Sequence, residues 1–178
     1  MGLGYTDRLG ERGVKHTVVS QYIERYFLVR RAKAISRDGL QLCGTTTWKD
    51  AATYPLCMLT PEMHNRTIVD SAFAMAGVTV RPAIETNSIL TLALSVSVGN
   101  VCSILPGALV SVVRGYGELE ALALIHPDLQ TPIGFMTAQI ERPSRTLVAA
   151  LVLARESNWL DHADIHTGKL ASVATFKT

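Results

Sequence analysis

The sequence predicts an α/β fold, and three observations carry that prediction. Apolar runs alternate between short β-branched stretches and longer ones with helical spacing. Three times in succession a short apolar strand runs directly into a helix-start signal. The chain of 178 residues, 48% hydrophobic and 18% charged, is long enough for one good core or two small lobes, and its balance excludes intrinsic disorder.

Val18 to Arg30 is rich in strand formers and reads as one long strand leaving into a loop at Arg30-Arg31-Ala32-Lys33. Ser36 to Thr47, with Gly39, Gly44 and three successive threonines, reads as a surface connection before a short helix over Trp48–Thr53. Leu56 to Leu59 is the first short strand. It runs into Thr60-Pro61-Glu62, an N-cap, a first-turn proline and an acid that complements the helix dipole. On the helix that follows, Ile68, Val69, Ala72, Phe73 and Ala76 share one face, and Gly77 is placed to end it in the left-handed conformation.

Ala83-Ile84-Glu85 leads into Thr86-Asn87-Ser88, any of which can cap the run Ile89 to Val98. That run is apolar on nearly all sides, which predicts a largely buried helix closed by Gly99-Asn100. Val101 to Leu105 forms the third such strand, ahead of Pro106-Gly107 and a short helix to Val113. Strands joined through helices in this way run parallel. Leu119 to Ile125 and Ile133 to Thr137 read as further strands. Ser144 to Arg155 reads as a helix burying Leu147, Ala150, Leu151 and Ala154. Beyond Glu156 the periodicity lapses, and residues 157–178 read as a poorly packed extension.

Seventeen basic against fifteen acidic side chains leave a net charge of +2, too small to make the whole surface a nucleic-acid or membrane partner. Cys43, Cys57 and Cys102 are odd in number and widely spaced, which argues against a disulfide framework and fits a reducing cytoplasm. No apolar run reaches membrane-spanning length. Gly2-Leu3-Gly4 and Gly115-Tyr116-Gly117 lack the third glycine of a dinucleotide fingerprint, and neither a phosphate loop nor a nucleophile elbow occurs, so no cofactor is expected. Asp161, His162, Asp164 and His166 have metal-compatible spacing but no anchoring periodicity, and no metal site is assigned to them. Cys57 with His64 is the one nucleophile-and-base pairing to weigh, against a mid-strand thiol that is ordinarily buried and inert. Arg142 and Arg145 read as surface residues.

In an open parallel sheet, ligands bind beyond the carboxyl ends of the strands, where helix N-termini present free N–H groups. This chain builds that edge from Thr60, Thr86-Asn87-Ser88 and Ser103 to Pro106. Hydroxyls, amides and backbone N–H groups without an obligatory Lys or Arg suit a small oxyanion or carboxylate.

The run Pro55-Leu56-Cys57-Met58-Leu59-Thr60-Pro61-Glu62-Met63-His64-Asn65-Arg66-Thr67-Ile68-Val69-Asp70 resembles the effector-binding domain of LysR-type transcriptional regulators, as do Ala76-Gly77-Val78, Ile84-Glu85-Thr86-Asn87-Ser88-Ile89 and Ser103-Ile104-Leu105-Pro106. The resemblance extends through Gly2-Leu3-Gly4-Tyr5-Thr6-Asp7, Glu24-Arg25-Tyr26-Phe27-Leu28, Pro132-Ile133-Gly134-Phe135 and the helix after Arg142-Pro143, covering residues 1–156. It implies a type-2 periplasmic-binding-protein-like fold with one complete doubly wound lobe, lobe II, over residues 18–126. A partial lobe I would comprise residues 1–17 and 127–156. It also implies a small-molecule effector in the cleft, a non-enzymatic role, a cytoplasmic homo-oligomer and no membrane partner.

Carried over by position, the resemblance places Tyr5 and Thr6 on the cleft-facing strand of lobe I. Thr60 falls at the start of the first cleft-facing helix of lobe II, and Thr86, Asn87 and Ser88 at the second. It makes the helix Glu62–Ala76 the lobe II contribution to a dimer. The winged helix-turn-helix and the opening strand-helix units of lobe I have no counterpart in this chain, so DNA would be reached only through a domain the chain lacks. Strand edges left open in lobe I predict self-association.

Overall fold

The computed structural model describes residues 1–6, 16–140 and 142–156. In chain order the elements are β1 (Gly2–Tyr5), β2 (His16–Glu24), β3 (Tyr26–Arg31), β4 (Gln41–Thr47), α1 (Trp48–Ala51), β5 (Cys57–Leu59), α2 (His64–Met75), β6 (Ile84–Thr86), α3 (Ile89–Val98), β7 (Ser103–Pro106), α4 (Gly107–Val112), β8 (Leu119–Ile125), β9 (Thr131–Ala138) and α5 (Arg145–Glu156). The expected extension over 157–178, with Asp161, His162, Asp164 and His166, lies outside the described residues.

A larger sheet has the order β4-β8-β3-β7, and a parallel bridge between Leu56 and Cys102 adds the parallel pair β5-β6 beside it. Residues alternate across β3 as the two-residue period requires. Tyr26 and Leu28 join a core with Trp48, Met58, Phe73 and Ile104, while Phe27 and Val29 join a second core with Leu59, Leu92, Val96 and Val110. The first core is closed by α1 and α2, the second by α3 and α4, so helices cover both faces of one sheet. β3 runs antiparallel to both neighbours, while β4 pairs with β8, and β5 with β6, in parallel.

The smaller sheet, β1-β9-β2, is antiparallel. α5 lies beside β2, with Ala154 buried and Leu147, Ala150 and Leu151 half-buried on the face its spacing predicts, and Gln21 Nε2 donates to the Ala154 carbonyl at 3.3 Å. Arg142 and Arg145 are exposed as expected.

Several expectations need correction. The long strand Val18–Arg30 is two strands, because β2 pairs with β9 and β3 with β7 and β8, so the chain changes sheets at Arg25. There the Arg25 carbonyl accepts from Gly107 N at 2.9 Å, and Glu24 Oε1 accepts from Ala108 N at 3.0 Å. Ser36–Thr47 is not all surface connection: residues 41–47 form β4, whose partner β8 lies far along the sequence. The helix after Leu59 starts at His64 with Met63 at its cap, not at Thr60: Met63 N donates to the Thr60 carbonyl at 3.0 Å and closes a turn over residues 60–63 before the helix begins. Finally, α3 is not largely buried. Only Leu92 and Val96 are, since a single sheet face packs against it.

Elsewhere local signals hold. All five predicted core positions of α2 are buried. Gly77 sits at φ +74°, with Gly77 N donating to the Ala74 carbonyl at 2.9 Å and Val78 N to the Phe73 carbonyl at 3.0 Å, the paired bonds of a Schellman stop. Ser88 caps α3, its hydroxyl accepting from Thr91 N at 3.2 Å. No described helix is long and apolar enough to cross a membrane.

Candidate functional site

The carboxyl ends of β5 and β6 lie side by side, with Leu59 opposite Thr86 in the register. Thr60 and Thr86 therefore emerge together, joined by the bond from Thr60 N to the Thr86 carbonyl. Thr86 Oγ1 then accepts from Ser88 N at 3.1 Å, and Ser88 turns the chain into α3. Asn87 stands exposed between them. The predicted group Thr60, Thr86, Asn87 and Ser88 is thus one continuous rim.

Thr60 departs from the others. Its hydroxyl is buried and meets the Glu62 carboxyl, while the amide nitrogen of Asn65, in the first turn of α2, is buried without a well-aligned hydrogen bond. A buried amide left unpaired costs on the order of 1–3 kcal/mol, so Asn65 marks a place where a polar partner is wanted. Nearby, Glu62 is held below the usual carboxylate range, first by its own backbone N–H and then by the Thr60 hydroxyl.

The smaller sheet meets this rim through Tyr5. Its ring stands edge-on to the His64 imidazole, with centroids 4.6 Å apart and planes at 71°. Thr6 turns the other way, donating from N and Oγ1 to the Pro132 carbonyl at 3.1 and 3.2 Å, so its hydroxyl is held by its own sheet rather than turned to the rim. Behind Tyr5, burial and the neighbouring Glu24 and Tyr5 push the Tyr22 phenol up to about 12. Tyr26 is also raised by burial, and its hydroxyl shares a hydrogen bond with Thr131 at 3.3 Å. Glu24, buried at the crossing, is raised by desolvation and partly offset by the Ala108 N–H.

Two residues that the reading of the sequence left out shape the rim. Arg66, buried at 7% exposure, donates to the Leu59 carbonyl and Glu85 at 2.6 and 2.7 Å and forks onto Asp70 at 2.9 and 3.0 Å. It ties α2 to the ends of both strands and spends its charge on carboxylates. The Arg66–Asp70 spacing of four was visible in the sequence; the reach to Glu85 was not. Asn65 carried no signal beyond its place after the strand. Ser103 is structural, its hydroxyl donating to the Cys57 carbonyl at 2.8 Å.

Cys57 and His64 are not brought together as a nucleophile and base. Cys57 packs among Leu92, Val96 and Val110 with its thiol raised by burial, while His64 stacks on Tyr5. Among the described residues no group of three metal-ligating side chains exists. What the rim offers is hydroxyls, an amide and backbone N–H groups at the ends of parallel strands, a setting for a small polar ligand held by hydrogen bonds.

Comparison with known proteins accords with this architecture. The family model described as the LysR substrate binding domain matches residues 21–158. Full-length CbnR complexed with its target DNA superposes with a TM-score of 0.61 at 19% identity, covering 79% of this chain and 47% of that one. An OxyR mutant from Corynebacterium glutamicum gives 0.68 at 10% identity, covering 99% and 51%. The regulatory domain of Synechocystis CcmR, in complex with 2-PG, gives 0.63 at 13% identity, covering 86% and 70%. The chain spans about half the length of the full-length regulators it matches. No curated protein sequence matches it. With its type-2 periplasmic-binding-protein-like fold, the chain belongs to the LysR substrate-binding-domain family.

Proposed function

We propose that this chain is the ligand-sensing part of a LysR-type transcription regulator and binds a small anionic metabolite, a carboxylate or oxyanion, between Tyr5 and the rim of Thr60, Thr86, Asn87 and Ser88. The observation that carries this reading is that Thr60 and Thr86 emerge side by side from paired strand ends, joined by the Thr60 N bond to the Thr86 carbonyl, with the Tyr5–His64 contact at the start of the helix that follows. The strand-end hydroxyls suit a small polar ligand, the Thr60 and Ser88 N–H groups being taken up within the rim, and Arg66 offers no competing free cation because its charge is already paired. Thr6 belongs to this site as the residue that anchors the Tyr5 strand. Two similar structures hold small molecules, shikimate in the QuiR effector domain and 2-PG in CcmR.

In this reading the role is regulatory and not enzymatic, in the cytoplasm. DNA is contacted by a separate helix-turn-helix domain of the regulator, and α2 contributes to its oligomer. The test is a thermal-shift screen of the chain against small carboxylates and inorganic oxyanions, because a ligand that binds only the folded state raises Tm. A saturable rise that disappears in the Thr60→Ala, Thr86→Ala double variant supports the reading. A rise that survives the double substitution moves the site elsewhere.

A further inference from the structure

The outer side of α3 carries a row of apolar side chains open to solvent. Leu90, Leu94 and Val98 are 66%, 42% and 78% exposed, and their spacing of four sets them on one ridge. Val112 on α4 and Tyr116 just beyond it, 69% and 38% exposed, flank the ridge. Between the two helices lies an apolar cavity of about 300 Å³, walled in part by Ile89, Leu90, Val112 and Tyr116. None of the ten residues of α3 is charged.

Two features decide what covers this face. The cavity lining offers only the Tyr116 hydroxyl as a side-chain polar group, whereas small-ligand pockets carry several placed polar groups to orient their occupant. The ridge also runs past the cavity to Leu94 and Val98, beyond the reach of a molecule seated within it. The exposed residues leave on the order of 500 Å² open, within the range for the largest patch on a monomer. Two copies closing over one another would bury about 1,000 Å², the size a specific interface is expected to reach.

We propose that the α3–α4 face pairs with the same face of a second copy of this chain about a two-fold axis near Leu94, each ridge seated beside the other's cavity. Rows spaced by four on both helices pack at a crossing angle of about −50°. This surface is distinct from α2, which lies over the opposite face of the larger sheet.

Sedimentation of the intact chain over a wide concentration range tests the proposal. The expected result is a concentration-dependent association from which Leu94→Glu with Val98→Glu removes one step, beyond any pairing through α2, with the circular-dichroism melt kept and with Met75→Glu on α2 leaving that step intact. Should the double variant misfold, Leu94→Cys in a Cys43→Ser background replaces it, and the expected result is a symmetric intermolecular disulfide under mild oxidation. A monomer at every concentration, an association unchanged by both glutamates, loss of the glutamate-sensitive step on Met75→Glu, or no cross-link would each overturn it. So would a chain that stays monomeric and is saturably stabilised by benzene, which would make the cavity a ligand site.

Discussion

The Tyr5 ring stands edge-on against the His64 imidazole, and in that contact the smaller sheet touches the first turn of α2 at the rim. Edge-to-face pairs contribute about 0.5–1.5 kcal/mol beyond the area they bury. Tyr5→Ala is expected to cost about 1–2 kcal/mol more than Tyr5→Phe, which keeps the ring, and to weaken any ligand found by thermal shift. Denaturant midpoints of the two variants check this; equal stabilities would show that the ring contact contributes nothing.

Thr60 and Ser88 separate binding from stability. Thr60→Val keeps the shape and removes a hydroxyl that meets only the exposed Glu62 carboxyl among the described residues, so stability should stay close to that of the wild type while ligand binding falls. Ser88→Ala removes the α3 cap and should cost about 1 kcal/mol. Melting curves with and without ligand distinguish the two, and a marked loss of stability in Thr60→Val would mean the hydroxyl has a structural partner.

Arg66 holds the rim in place rather than contacting ligand. Arg66→Met removes its bonds to the Leu59 carbonyl, Glu85 and Asp70. Because the two carboxylates are half-exposed and remain hydrated, the expected cost is about 2 kcal/mol rather than that of a fully buried pair. Chemical denaturation measures it, and a cost near zero would remove Arg66 from the account of the rim.

Glu24 gives a pH signature. Burial raises its carboxyl, so the folded state holds the proton to higher pH than the unfolded chain does. The stabilisation is fully present below the unfolded pKa and is lost as pH rises through the folded one. Urea midpoints taken from about pH 4 to 7 should decline more steeply in the wild type than in Glu24→Gln, which cannot ionise but keeps an acceptor for Ala108 N. Parallel profiles would assign the decline to other groups.

Much of the chain was legible because its signals are local. Gly77 must adopt a positive φ to stop α2, Ser88 must offer an oxygen to the first turn of α3, and the spacings in α2 and α5 place named side chains inward whatever those helices meet. The rim was readable for the same reason, since strand ends that lead into helix starts collect threonines and serines.

The corrections share a different origin. Val18 to Arg30 is uniformly suited to strand, and propensity does not record that its two halves have different partners, or that the Arg25 carbonyl and Glu24 are claimed by the start of α4. β4 looked like loop because its pairing is supplied by β8, and Thr60 looked like a cap although a separate turn, closed by Met63 N on the Thr60 carbonyl, intervenes before α2. The exposed ridge of α3 reads as core in sequence, since hydropathy says a side chain prefers burial but not whether anything is there to bury it. By itself, then, the sequence determined which segments are helix, where α2 stops and which residues gather at the strand ends. Tertiary structure alone decided that residues 41–47 are strand, which strands pair and which apolar faces stay uncovered, because pairing and burial depend on groups distant in the chain.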